Sequence, residues 1–301
     1  MVRPSDDALK LLSRRYQNEP TRDLASEYGV AVSTIRHWFS DVGVQKSPPI
    51  IESSMPRYDK PPKMSPDCLV MSDSHVPYHD ARFINNCISL AESWGITNLC
   101  LAGDTMDVSA LSPFSNRPEA TLRKELSDAQ KFLLGLSSTF SDILLLPGNH
   151  ERRLLHFLNE QLGMEHFLSL VGVSSNIRTS SYSFAIIGNK WIVGHPRNAS
   201  VVAGRVPVVI SRKYPGMSLA TGHGHMAGLV VAEDGERMMV DLGMTADPKR
   251  LDWVAENLTA RPSMAQGAVI LKKIPSGIIW PYYLFPKMDW AAMSSLYHSD
   301  N

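Results

Sequence analysis

Residues 143–153 read ILLLPGNHERR. An apolar run of strand length ends abruptly on Gly148, Asn149, His150 and Glu151. A buried strand can stop in any turn, but this turn offers an amide, an imidazole and a carboxylate. Two earlier runs have the same form. CLVMSD (68–73) leads into His75, and NLCLAGD (98–104) leads into Asp107. Helical patterns at Asp80–Trp94 and Glu119–Leu136 separate the three, which predicts a βαβαβ start.

Further along, SFAIIGN and KWIVGHP read as a hairpin on Gly188-Asn189, followed by LATGHGH. GLVVAEDGERMMVDLG reads as a hairpin around Asp234-Gly235, and AVILKKI with IIWPYYLF as a last one around Pro275-Ser276-Gly277. Five successive strand ends therefore carry candidate ligands: Asp73 and His75; Asp104 and Asp107; Asn149 and His150; His195; His223 and His225. In open α/β sheets, ligands collect beyond the carboxyl ends of strands. Any one of these residues alone reads as a turn former, a helix cap or a hydrogen-bonded histidine. Their joint order points to metal. Hard carboxylate and amide oxygens mixed with imidazoles suit Mn, Fe or Zn better than Ca.

The blocks DSH, GDxxD, GNHE, GH and GHxH, in this order over residues 67–245, resemble the calcineurin-like metallophosphoesterases. The resemblance implies an α/β fold, a four-layer β-sandwich flanked by helices with a two-metal site at one edge. It implies that Asp73, His75 and His225 hold one divalent cation. Asp104 bridges to a second, which Asn149, His195 and His223 complete. It also implies that His150 contacts substrate and protonates the leaving oxygen, with Asp107 orienting it. Two ions, Mn²⁺ first and Fe or Zn as alternatives, are the expected cofactors. The sequence departs from the protein-phosphatase branch at Val108, where that branch has Arg. Arg152, Arg153 and Arg197 are candidate substitutes for that phosphate contact, or else solvated charges. Glu151 reads as part of the turn or a support to the ligands.

Residues 1–45 have a different pattern. TRDLASEYGVAVSTIRHWFS (21–40) resembles a helix-turn-helix, with Ala25 at the helix crossing, Gly29 in the turn and Ile35 in the core. Leu11, Leu12 and Tyr16 suit a preceding helix, and Thr21 and Ser33 suit caps. Such a module would present Ser33, Thr34, Arg36 and His37 to a DNA major groove. The alternative is a small helical module for protein binding or oligomerisation. Residues 46–66 hold six prolines and read as an extended linker to a domain over 67–301.

Composition sets bounds. Lys plus Arg and Asp plus Glu number 30 each in 301 residues, so the chain as a whole is no electrostatic trap for nucleic acid or anionic membrane. Cys68, Cys87 and Cys100 form no CxxC pair and read as buried free thiols. No apolar run reaches membrane-spanning length, and MVRPSDDALK lacks a signal-peptide core. The expectation is a cytoplasmic two-metal phosphoesterase, in the first instance a phosphodiesterase or nuclease on DNA, with a homo-oligomer left open. The alternatives are an enzyme on small-molecule or protein phosphates, and a DNA-binding regulator with an inactive esterase domain.

Overall fold

In a computed structural model, the strands from Cys68 to Leu146 show why their sequences read as unbroken apolar runs. Strand β2 (Cys68–Met71) pairs in parallel with β3 (Asn98–Ala102), and β3 with β4 (Asp142–Leu146). Each alternates between two cores. Leu69, Met71, Leu99, Leu101, Ile143 and Leu145 face one, while Cys68, Val70, Cys100, Ala102, Leu144 and Leu146 face the other. A strand buried on both faces has no polar side to show. The structure describes residues 3–46, 60–112, 121–158, 162–173, 176–251 and 264–297.

Beyond these strands lie β5 (Ile177–Thr179), β6 (Phe184–Ile187), β7 (Trp191–Gly194), β8 (Ser218–Thr221), β9 (Ala227–Val231), β10 (Met238–Leu242), β11 (Ala268–Lys273) and β12 (Ile279–Leu284). With β1 (Lys63–Met64) they make two six-stranded sheets, ordered β1-β6-β7-β8-β10-β9 and β12-β11-β2-β3-β4-β5. The second core, with Trp191 and Val240 from one sheet and Val70 and Leu144 from the other, lies between them. Helices α5 (Ala81–Ser93), α6 (Leu122–Thr139), α7 (Asn149–Phe157) and α8 (Met164–Val171) cover the outer face of the second sheet. Helix α9 (Arg205–Ser211) lies against β8 and β10 of the first. The order of layers is thus helices, sheet, sheet, helix. A last helix, α10 (Trp290–Ser295), packs on α5.

Asp80 caps α5 through the amides of Arg82 and Phe83, and Thr121 caps α6 through Lys124. The three hairpins close where their turn residues sit, with Gly188, Asn189, Gly235 and Gly277 all at positive φ. Of the linker expected over 46–66, residues 47–59 lie outside those described, and its C-terminal part enters the first sheet. Lys63–Met64 pairs in parallel with Ile186–Ile187 as β1. Two residues between prolines carry no periodicity, so this strand exists only because the edge of β6 is there to receive it.

Residues 3–46 form helices of their own: Asp6–Leu11, Ser13–Asn18, Thr21–Glu27 and Val32–Asp41. Chain contacts divide the molecule at Tyr58/Asp59. Leu9, Tyr16, Leu24, Ala25, Ile35, Trp38 and Phe39 fill a separate small core, with Tyr16 stacked on Phe39 at 4.1 Å. Gly29 turns the chain at φ +60° between the last two helices. Leu11 is 85% exposed, and Leu9 takes the inward place. The helices start earlier than the expected caps require, by one residue at Thr21 and by two at Ser33. Pro20 and Ala31 occupy the N-cap positions, so Thr21 and Ser33 lie inside the first turns and cap nothing.

Candidate metal centre

The loops that leave β2, β3, β4, β7 and β8 share one edge of the two sheets. Backbone bonds tie neighbouring loops together: Asp73 N–H to Gly103 O and His75 N–H to Asp104 O, both at 3.0 Å, and Gly222 N–H to Gly194 O at 3.0 Å. Asp73, His75, Asp104, His223 and His225 all lie in the left-handed region, with φ of +53°, +46°, +51°, +73° and +53°. Asp and His tolerate that region better than branched residues, but each placement still costs on the order of 1 kcal/mol or more. This backbone turns side chains that would follow the pleat inward, toward a common point.

Three glycines make room. A Cβ on Gly148 would stand 2.1 Å from Asp104 Oδ1, one on Gly103 would stand 2.6 Å from the His195 ring, and one on Gly222 would stand 1.9 Å from Ser72 Oγ. The carboxylates and imidazoles use the space that those side chains would fill.

Two donor groups result, and a third cluster, His75, Asp107 and His150, adjoins them. In the first, His225 Nε2 lies 3.0 Å from Asp73 Oδ1 and 3.1 Å from His75 Nε2. In the second, His195 Nε2 lies 3.2 Å from Asp104 Oδ2 and 3.2 Å from Asn149 Oδ1, and His223 joins Asp104 and His195 within ligand spacing. Asp73, His75, Asp104, His195 and His225 are buried, while Asn149 is exposed. His150 stands between the groups. Its ring is 4.6 Å from that of His75, and its Nε2 is 3.8 Å from Asp104 Oδ2. Oxygen and imidazole donors at these spacings, on buried walls and with glycines clearing the approach, fit two divalent cations.

Charge agrees with the geometry. Burial alone would lower the His75 pKa, but the bonded Asp107 and the carboxylates of Asp104 and Asp73 raise it to about 9. Burial opposes and Asp104 overrides it at His195, which rises to about 10. Burial and the neighbouring His195 depress His223 to about 4. Asp104 is held well below the carboxylate range by His195 and His150, against the desolvation that opposes it. Without a cation, protons on imidazoles balance these carboxylates.

The expected partner of Asp107 differs. Its carboxylate takes His75 Nδ1 at 2.7 Å and lies 3.6 Å from His150 Nδ1. His150 Nδ1 instead meets the Asp107 backbone carbonyl. The reason is local: His75 is two residues from Asp73 on the adjoining loop and fills the space over Asp107, while the start of α7 brings His150 in above the main chain. Ser109 takes the other Asp107 oxygen. Arg152 Nη2 donates to Ser181 O at 3.2 Å, Arg153 Nη1 lies 3.5 Å from Asp107 O, and Arg197 is exposed. Partial burial, then the nearby Arg197, lowers the Arg152 pKa. These arginines rim the site without touching the donor groups.

Sequence reasoning gave Glu151 a supporting role without saying what it supports. It is fully buried at the third position of α7. One oxygen accepts the amides of Thr105 (2.7 Å) and Met106 (3.0 Å), the other those of Asp104 (3.0 Å) and Gly148 (2.9 Å). It clamps the Asp104 loop to the His150 loop. Two other supports were missed. Ser72 Oγ bonds Asp73 and Ala102 O, and Glu125 on α6 is buried behind Ser109, its pKa raised to about 7 by burial and by Asp107. Nothing in the local sequence marks Glu125, which is brought in by helix packing.

In the N-terminal unit, Ser33, Arg36 and His37 are exposed on the Val32–Asp41 helix and Thr34 is half-buried. Several cations of the unit are paired: Arg15 with Glu19 at 2.9 Å and Glu27 at 2.8 Å, and Arg3 with Asp6 at 2.8 Å.

No protein-family model and no curated protein matches this chain. Several solved structures do, weakly. Vps29 of Chaetomium thermophilum is 11% identical, with 74% of this chain and 96% of that one covered and a TM-score of 0.31. Vacuolar Protein Sorting 29 of Cryptosporidium parvum is 13% identical, covering 67% and 82%, with a TM-score of 0.32. A conserved uncharacterized protein of Streptococcus pneumoniae, a predicted phosphoesterase, is 12% identical, covering 72% and 95%, with a TM-score of 0.29. Likeness at this level decides nothing about chemistry. Among the described residues, no helix is long and apolar enough to cross a membrane.

Proposed function

We propose that the chain is a metal-dependent phosphoric ester hydrolase. The observation that carries this reading is the pair of donor groups, Asp73-His75-His225 and Asp104-His195-His223, with His150 against His75 of the first and 3.8 Å from Asp104 of the second. Divalent cations held there would supply charge neutralisation at a phosphoryl group and a lowered pKa for water. The chain's own residues do the rest. Asp104 and Asn149, each 3.2 Å from His195 Nε2, would hold the second ion with His195 and His223. The first turn of α7 gives the His150 amide to Asp104 Oδ1 at 2.9 Å, which fixes the direction of that carboxylate. His150, held at Nδ1 by the Asp107 carbonyl, has Nε2 free of that bond and directed at the Asp104 side, where it can give a proton to a departing alkoxide. Arg152 and Arg197 at the rim suit the remaining anionic oxygens.

The finer reading is a phosphodiester substrate, with DNA brought to the enzyme by residues 3–46. It is supported by the Gly29 turn and by Ser33, Arg36 and His37 on the exposed face of the following helix. The paired cations and near-zero net charge favour small phosphoesters instead. One panel separates them: aryl phosphomonoesters, aryl phosphodiesters, and single- and double-stranded DNA, with Mn²⁺ and with chelator, for wild type and His150→Ala. Metal-dependent turnover that falls at least ~100-fold in His150→Ala with metal retained is expected. Aryl diester hydrolysis with intact DNA sinks the DNA reading and leaves the enzyme. No hydrolysis of any ester sinks both.

A further inference from the structure

Strand β9 ends the first sheet, and among the described residues no strand pairs with its outer edge. Its sequence, with flanks, is Met226-Ala-Gly-Leu-Val-Val-Ala232, with no charge and no proline. Open edges in stable proteins are commonly blunted by Lys, Pro or a bulge, and none of these is present here. Leu229, Val230 and Val231 are 42%, 37% and 55% exposed. Val201 and Val202, 64% and 53% exposed, lead into Ala203, whose side chain lies 3.0 Å from the space above Gly228. Leu229 and Val231 share one face of the strand and Val230 takes the other, so apolar surface, on the order of 400 Å² in all, flanks the edge on both sides.

The backbone says what fits. Ala232 N–H bonds Arg237 O, and Gly243 N–H bonds Met226 O, both at 2.8 Å. In an antiparallel ladder bonded pairs alternate, so residues 226, 228, 230 and 232 face β10. Ala227, Leu229 and Val231 therefore send N–H and C=O outward. That outward set is symmetric about Leu229. A second β9 laid antiparallel would pair Leu229 with its own copy and Ala227 with Val231 in both directions, closing six backbone hydrogen bonds. The same arrangement puts the acidic tips, Glu233, Asp234 and Glu236, at opposite ends of the joint, whereas a parallel arrangement would stack them.

We propose that two copies of this chain pair through β9 about a two-fold axis, joining their first sheets into one of twelve strands. The interface is isologous. It starts two residues after His225, so the joint and the metal centre share a loop. Each dimer would carry two copies of residues 3–46, although the pairing depends on neither the catalytic nor the DNA reading.

The test uses full-length protein. Sedimentation velocity from ~1 to ~100 µM should show a dimer, and Leu229→Lys with Val231→Lys should raise its dissociation constant more than ~100-fold with the far-UV spectrum unchanged. Cross-linking gives a second readout. The native cysteines Cys68, Cys87 and Cys100 are buried. Leu229→Cys should form an intermolecular disulfide under mild oxidation, because paired Cα atoms would stand about 5.5 Å apart. Val231→Cys should not, since its copies would be roughly 14 Å apart. A wild-type monomer at the highest concentration overturns the proposal. So does a dimer indifferent to the paired lysines, or equal cross-linking at both positions.

Discussion

Glu151→Gln is the substitution that bears most directly on how the site is held. The glutamate side chain takes four amides, two on each oxygen. Glutamine keeps one oxygen and turns an NH2 group toward the other two amides. Two bonds are lost, and two buried N–H groups face a donor. At about 1–3 kcal/mol for each unsatisfied buried group, the loss is about 2–6 kcal/mol. Part of it returns, because burial and Asp104 push the Glu151 pKa up and the neutral side chain escapes that penalty. A net loss of about 2–4 kcal/mol is expected, with the 104–106 loop released and the second cation bound at least ~10-fold more weakly. Urea unfolding of metal-loaded protein and metal content by mass spectrometry measure both. Stability within about 0.5 kcal/mol of wild type, with two ions retained, would refute the clamp.

Gly148→Ala, at an ordinary negative φ, is a purely steric test. Its methyl would stand 2.1 Å from the Asp104 carboxylate and 2.4 Å from the Asp104 amide nitrogen, so the carboxylate and its loop should shift and metal should be lost while the far-UV spectrum holds. The pH dependence of the chelated protein follows from imidazoles raised to about 9 and about 10 at His75 and His195. Their contribution is complete below the unfolded value of about 6.5 and is lost as pH rises through 9 to 10. Asp73, lowered to about 2, contributes above the unfolded carboxylate range and loses that as pH falls through 2. Chelated protein should therefore melt lower at pH 9.5 than at pH 6.5, and metal-loaded protein should narrow the gap, because cations replace those protons. A chelated melting temperature that climbs over that range contradicts the scheme. Finally, protein beginning at Asp59 should hydrolyse small esters at wild-type rates, with loss of that activity showing that residues 1–58 support the esterase unit.

Strand ends were legible because each puts its donors next to its own apolar run. ILLLPGN to His150 and LATGHGH to His225 are contiguous signals. The alternation that assigns Leu69 to one core and Val70 to the other was invisible, since both faces are buried and both read as apolar. Supports that arrive from elsewhere in the chain were also hidden. Glu151 stands beside the motif but acts on residues 104–106, and Glu125 reaches Ser109 from another helix. That the Asp107 carboxylate bonds His75 and stands 3.6 Å from His150 could not be read from spacing. It depends on where the start of α7 enters above the loop. The helix starts at Thr21 and Val32 were misplaced by one and two residues because Ser and Thr are good caps that also sit comfortably inside a first turn.

The left-handed main chain under five of the donors limits how these positions can be varied. Exchanging aspartate for alanine there removes a donor and also strains the bend beneath it, so two causes reach a single readout. Asparagine is at home in that conformation and has nearly the same outline as aspartate. Asp73→Asn and Asp104→Asn would thus subtract charge while leaving the chain path alone, and metal lost from them could be ascribed to the carboxylate itself.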